Sequence, residues 1–211
     1  ALAKNDRPVR CLVYCDSREI AEKVKKKLDD KLAAPDKKAF QAKADTELFV
    51  GARRVKERED AKTWLQSHGF LAGSGSPAKP AFLIATSAGE VGVDLDADHM
   101  VCDLTPFDSM AQRLGRVNRR GGGAAEVDVF YESDPDPKQK EDPVESARWK
   151  TLEVLRRLPR CDWNVGRHDG SPQALRNLWH SDDDIIRQRL TEERKAAFTP
   201  IPRILPTSDM L

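Results

Sequence analysis

No apolar run in these 211 residues approaches the ~20 that a membrane span requires. Residues 1–10 lack the features of a signal peptide, so a soluble, cytoplasmic protein with no membrane association is expected. Charge of one sign is missing too. Lys+Arg is 36 against Asp+Glu 35, a net +1. No long-range field draws nucleic acid to the whole surface, and any basic footprint must be local. The four cysteines form no CxxC pair. Cys11 and Cys15 share one strand-like run and Cys102 lies on another, which points to reduced, buried thiols. His68, His99, His168 and His180 are scattered without ligand spacing, so no metal site is expected. Internal repeats are absent as well.

What the chain does have is the run Gln112-Arg113-Leu114-Gly115-Arg116-Val117-Asn118-Arg119-Arg120. A helix starting near Asp108 would put Gln112, Arg116 and Arg119 on one narrow face, at i, i+4 and i+7. Met110, Leu114 and Val117 would fall opposite and pack on a core. Gly115 leaves room beside the polar stripe. Two guanidiniums and an amide in register suit a polyphosphate, because arginine presents a bidentate fork that stays charged at any working pH.

Around this run, short apolar strands alternate with helical patterns. Strands are expected at residues 9–14, 47–50, 82–85, 99–103 and 127–131. The first is followed by Asp16-x-x-Glu19, which has the form of a capping box, and then by Ile20, Ala21, Val24 and Leu28 at helical spacing. A further helix is expected at about 55–67 and a Gly/Ser/Pro loop at 69–80. Alternating strands and helices argue for an α/β fold with a parallel sheet covered on both faces and ligands at the strands' carboxyl ends. Composition changes after Tyr131. A linker over 133–142 leads to a helix capped by Asp142, with Pro143 at its first position, that runs to Leu158. Helices at 172–180 and 182–198 and a proline-rich tail over 199–211 complete the chain.

A second informative run, Ala85-Thr86-Ser87-Ala88-Gly89-Glu90-Val91-Gly92-Val93-Asp94, leaves the end of a strand. There a hydroxyl and backbone N–H groups can meet a phosphate. Thr86 either contacts such a phosphate or caps a turn, and Ser87-x-x-Glu90 is itself a capping box. Gly92 allows close backbone approach, while Asp94 suits a ribose hydroxyl or an arginine.

Together these residues resemble the second RecA-like domain of superfamily 2 helicases. Gln112, Arg113, Gly115, Arg116 and Arg119 match the Gln-Arg-x-Gly-Arg-x-x-Arg motif, and Ala85, Thr86, Gly92 and Asp94 match the upstream Ala-Thr…Gly-x-Asp motif. The fuller pattern is similar to the CRISPR-associated helicase–nuclease of type I interference. It comprises residues 90–94, Asp108-Ser109 and 118–121, with Leu48-Phe49-Val50-Gly51-Ala52-Arg53-Arg54…Glu57-Arg58 upstream. This resemblance covers roughly residues 9–131. It implies arginine fingers at Arg116 and Arg119, a phosphate or attacking-water contact at Gln112, and nucleotide contacts at Gly92 and Asp94. It also implies contacts to single-stranded DNA at Ser17, Arg53, Arg54, Arg58, Thr86 and Ser87. Arg113 and Arg120 would pair with acids or meet DNA.

The resemblance has a missing half. There is no Gly-x-x-x-x-Gly-Lys-[Ser/Thr] loop, no Asp-Glu-x-His stretch and no His-Asp nuclease cluster. ATP and Mg2+ would therefore be held mainly by a first RecA-like domain outside this chain. A domain over 1–132, the linker over 133–142 and a helical extension over 143–211 are expected. The implied partners are that first domain, a His-Asp nuclease domain of the same protein, single-stranded DNA and a CRISPR effector complex. Two rival readings are an unrelated superfamily 2 helicase half acting on DNA or RNA, and a non-catalytic nucleic-acid-binding or adaptor module.

Overall fold

A computed structural model describes residues 8–33, 44–51, 55–75, 77–87, 93–121, 123–131, 142–162, 165–179, 191–192 and 195–198. The chain divides into two compact units, one of residues 1–103 with 111–132 and one of residues 104–110 with 133–211.

Five short strands build the first unit: β1 (Arg10–Tyr14), β2 (Asp45–Phe49), β3 (Ala81–Ala85), β4 (His99–Asp103) and β5 (Glu126–Phe130). They form one all-parallel sheet in the order β2-β3-β1-β4-β5. The helices α1 (Arg18–Ala33) and α2 (Val55–Ser67) connect the first three strands. Apolar runs are continuous along β1 and β3, as a sheet buried on both faces demands. On one face Cys11, Val13, Leu48, Phe82, Ile84 and Val101 pack with Ala21, Val24 and Leu28 of α1. The alternate residues Leu12, Tyr14, Leu83, Met100 and Cys102 turn to the other face and are equally buried.

The expected strands and α2 are found within two residues of their expected bounds. The cap of α1 differs: Ser17 Oγ, not Asp16, accepts from the Ile20 N–H at 3.2 Å. The Asp16 N–H donates to Asp103 Oδ2 at 2.7 Å, so this residue ties the ends of β1 and β4 together.

The second unit holds α4 (Pro143–Arg156) and α5 (Pro172–Trp179). Asp142 caps α4 by accepting from the Val144 N–H at 2.8 Å, with proline at the first position where its missing N–H costs nothing. Phe107, Val154 and Ala197 form its core with Leu175 and Leu178. The helix α3 (Phe107–Leu114) follows β4 in the chain, and its residues up to Met110 count with the second unit. No helix among the described residues is long and apolar enough to cross a membrane.

Burial also governs the thiols. It pushes the Cys11 thiol up to about 12, with the Asp128 and Asp98 carboxylates adding to it. Cys15 is pushed up to about 11, chiefly by burial and then by Asp103. Cys11, Cys15 and Cys102 should therefore resist alkylation under native conditions at neutral pH, and the less buried Cys161 should react. Mass spectrometry with and without denaturant reads this directly. Above about pH 9 the unfolded chain loses thiol protons that the native state keeps, so stability should fall as pH rises toward about 11. Native labelling of Cys11 as fast as Cys161 would contradict the buried placement.

Candidate functional site

The arginine-bearing run departs from the expected helix. α3 ends at Leu114, and the chain then turns through Gly115 and Arg116. The Ala97 N–H donates to Arg116 O at 2.9 Å and the Asn118 N–H to Ala97 O at 2.8 Å, so Val117 lies alongside Ala97 as a one-residue parallel bridge. Asn118 then takes φ 48°, a left-handed conformation that asparagine tolerates. Backbone pairing with the segment before β4 thus wins over helix continuation. Gln112 stays exposed on the last turn of α3, while Arg116 and Arg119 leave the helix altogether.

Both arginines nevertheless meet. Arg116 Nη1 lies 3.3 Å from Asp94 Oδ1, and Arg119 Nη1 donates to the same oxygen. Two guanidiniums thus share one carboxylate oxygen. Asp94 is 57% and Arg119 49% exposed at the side chain, against 17% for Arg116.

Beneath this cluster lies a second, buried set of charges. The segment Asp94-Leu95-Asp96-Ala97-Asp98 alternates carboxylates with the fully buried Leu95 and Ala97. Asp96 Oδ1 accepts the backbone N–H of Arg119 at 2.9 Å. Its Oδ2 lies 2.9 Å from Arg120 Nε and 3.5 Å from Arg10 Nη1. Arg10 also grips Asp98 with a two-pronged contact, Nε to Oδ2 at 3.0 Å and Nη2 to Oδ1 at 2.8 Å. Burial works against the Arg10 charge, but Asp98 and Asp96 outweigh it and raise the guanidinium above its ordinary value. Arg10 Nη1 donates in addition to Gly69 O. That loop is tight: Gly69 has φ +77°, and a Cβ there would come within 2.5 Å of Gly75 O. Arg120 completes the ring by donating to the Leu71 and Ser74 carbonyls.

Arg113 has a different place from the one its motif implies. It is 2% exposed, with its guanidinium 4.8 Å above the centre of the Tyr14 ring and Nη1 donating to Asp103 O at 3.1 Å. It braces the ends of β1 and β4. Only burial distinguishes it from its neighbours, and the motif spacing carries no signal of that.

The nucleic-acid candidates that are described lie at the carboxyl ends of the strands. Ser17 follows β1 and is exposed, as is Ser87 after β3. Thr86 is 9% exposed and its N–H donates to Phe49 O at 3.2 Å, across to the end of β2. The Asp94 cluster, by contrast, is anchored near the amino ends of β1 and β4, through Arg10 and Asp98. Candidate residues expected at one end of the sheet are thus divided between its two ends. Gly92, Arg53 and Arg54 lie outside the described residues, as does the side chain of Arg58 in α2. No cluster of three or more His, Cys, Asp or Glu able to hold a metal occurs among the described residues.

Relatives share this arrangement of elements. The crystal structure of T. fusca Cas3 with AMPPNP superposes with a TM-score of 0.60 at 21% identity, over 93% of this chain and 23% of that protein. T. fusca Cas3 bound to ATP gives 0.58 at 20% identity, again over 93% and 23%. In sequence, the CRISPR-associated nuclease/helicase Cas3 of Haloferax volcanii is 34% identical over 112 residues, 50% of this chain and 12% of its own length. The CRISPR-associated endonuclease/helicase Cas3 of Thermus thermophilus is 46% identical over 50 residues, 23% of this chain and 5% of its own. The chain therefore spans a minor part of these relatives. The family described as CRISPR-associated nuclease/helicase Cas3, C-terminal, matches residues 9–122, which hold β1 to β4, the run from Ala85 to Asp94 and the run from Gln112 to Arg120, and the chain belongs to it.

Proposed function

We propose that this chain is the second RecA-like motor domain of an ATP-driven helicase that translocates on single-stranded DNA in type I CRISPR defence. The observation that carries the reading is the convergence of Arg116 and Arg119 on Asp94 Oδ1, on a turn held by backbone bonds to Ala97 and Asp96. The partly exposed guanidiniums are parked on a carboxylate that a polyphosphate, with its greater negative charge, can displace. Exposed Gln112 adds an amide on the last turn of α3. This donor set fits the phosphate end of a nucleotide. Arginine fingers of this kind stabilise charge building on the transferring phosphoryl group, and Mg2+ when bound neutralises phosphate oxygens. Its ligands, with the phosphate-cradling loop, belong to the first domain. The Haloferax and Thermus relatives are named as nuclease/helicases, which supports a nuclease in the same protein. A similar chain in a CRISPR RNA-guided surveillance complex, at a TM-score of 0.50, supports such a complex as partner.

Ser17, Thr86 and Ser87 at the other end of the sheet, together with Arg53, Arg54 and Arg58 of the sequence, would follow a strand's backbone without reading its bases. The purified chain alone should hydrolyse no ATP, and it should bind single-stranded DNA weakly, without sequence preference and with steep salt dependence. Charge reversal at Arg53 and Arg54 together should weaken that binding. Strand-stimulated hydrolysis that copurifies with the chain would overturn the half-motor reading. Unchanged strand affinity in the double variant would remove the basic turn from the DNA path.

A further inference from the structure

The buried carboxylate of Asp96 meets two residues of the arginine run, Arg119 and Arg120, and Arg10 besides. It is 3% exposed, against the solvent-facing Asp94. One oxygen takes the backbone N–H of Arg119, and the other takes Arg120 Nε and Arg10 Nη1. The turn that carries Arg119 has no helix to fix it, since α3 ends at Leu114. Around Arg119 the chain is held by the backbone bonds to Ala97, by the Gly121 N–H donating to Asn118 O, and by Arg120 donating to the Leu71 and Ser74 carbonyls. Asn118 is in a left-handed conformation, and the next N–H along the chain, that of Arg119, donates to Asp96 Oδ1.

We infer that Asp96 is a positioning residue for the Arg119 guanidinium: its carboxylate pins the Arg119 backbone on one side and Arg120 on the other, which aims the Arg119 side chain at the Asp94 side of the turn. Asp96 does not touch nucleotide. It acts through Arg119, and so this inference builds on the finger reading above.

Three donors converge on Asp96, and only a carboxylate can accept from all of them. In Asp96→Asn one acceptor oxygen becomes an NH2 group, so either the Arg119 N–H or the two guanidiniums meet a donor in place of an acceptor. Side-chain shape is retained, and the turn is left free to shift. A displacement of about 1 Å in a reacting group can cost about a hundredfold in turnover. In the full-length protein, Asp96→Asn should lower kcat for strand-stimulated ATP hydrolysis by about ten- to a hundredfold. KM for ATP and affinity for single-stranded DNA should stay within about twofold, because the finger acts on the transition state and not on ground-state binding.

A purely structural role would behave differently. Ile84→Ala empties a fully buried site in β3, outside the Gln112–Arg120 run, and serves as the stability control. Assayed well below its melting temperature it should keep normal kcat, even where its melting temperature falls as far as that of Asp96→Asn. Arg119→Ala, run alongside, separates the two readings. Lost turnover in Arg119→Ala together with normal kcat in Asp96→Asn would overturn the positioning role and leave the finger intact. Normal turnover in Arg119→Ala would overturn the finger and the positioning role with it. Loss in both, with Ile84→Ala active, is the expected result. Should Asp96→Asn melt below the assay temperature, Arg120→Gln removes the same ion pair from the exposed side and should give a smaller kcat loss at unchanged KM. An Arg120→Gln protein with normal kcat would then count against the positioning role.

Discussion

Alanine at Arg116 or at Arg119 should abolish ATP-driven unwinding by the full-length protein while the domain stays folded. Arginine fingers are worth roughly three to five decades in turnover, because their charge meets the transferring phosphoryl group in a site shielded from water. The structural cost is small by comparison. Arg119 is half exposed and its ion pair with Asp94 is open to solvent, so its truncation leaves no core cavity. Arg116 is more covered, yet its main structural contribution is the backbone carbonyl that receives Ala97, which alanine retains. Strand binding should persist, since Ser17, Thr86 and Ser87, proposed for it, lie at the other end of the sheet. Steady-state hydrolysis with saturating single-stranded DNA, run beside a thermal melt, decides the matter. Near-normal turnover in both variants, or a large melting-temperature loss with turnover falling only in proportion, would show that these arginines hold the turn and do no work on ATP.

The second large effect concerns stability. Arg10→Ala should lower the melting temperature by on the order of 10 °C. Arg10 is 12% exposed at the side chain, facing Asp96 at 5% and Asp98 at 13%. Removing the cation leaves two nearly buried carboxylates short of a partner, a change that costs about 3–5 kcal/mol where a buried pair is broken on one side only. Native domains hold only ~5–15 kcal/mol in reserve, and each kcal/mol moves the melting point of a chain this size by roughly 2–4 °C. Arg10→Lys should recover little. A lysine ammonium cannot reproduce the two-pronged grip on Asp98 and at the same time reach Gly69 O. A melting point within a degree or two of the parent in Arg10→Ala would mean that the carboxylates find other donors.

The sheet was legible because its strands are apolar runs bounded by polar turns, and α2 because its flanks are clear. The arginine run was harder to read. Its composition suits a helix through Arg120, and only the backbone of Ala97, remote in sequence, decides that the helix stops at Leu114. Tertiary pairing overrode local propensity there. The roles of Asp96 and Asp98 were within reach of the sequence. Carboxylates alternating with Leu95 and Ala97 mark a half-buried extended segment, and buried carboxylates need cations. Arg113 was not within reach, since nothing local shows that Tyr14 lies beneath it. Nor did the motifs reveal that Arg116 and Arg119 and the hydroxyls of Ser17, Thr86 and Ser87 sit at opposite ends of the sheet.

The central position of β1 has a consequence for how the domain comes into being. β1 leads the sheet in sequence yet pairs with β3 on one side and β4 on the other, Arg10 against Ala81 and Cys11 against His99. During synthesis it emerges well before either neighbour exists, carrying Cys11, Leu12 and Tyr14 with nothing to cover them. Parallel pairings between distant segments are slow to close and leave such strands open to association in the meantime. Neither the sheet nor the Arg10–Asp98 clasp can form until residues near 100 have been made. The last strand, β5, then adds at the open edge beside β4. Assembly of this unit is thus a late, concerted event, and the nascent chain up to β3 is the interval in which it is most exposed to aggregation or to a chaperone.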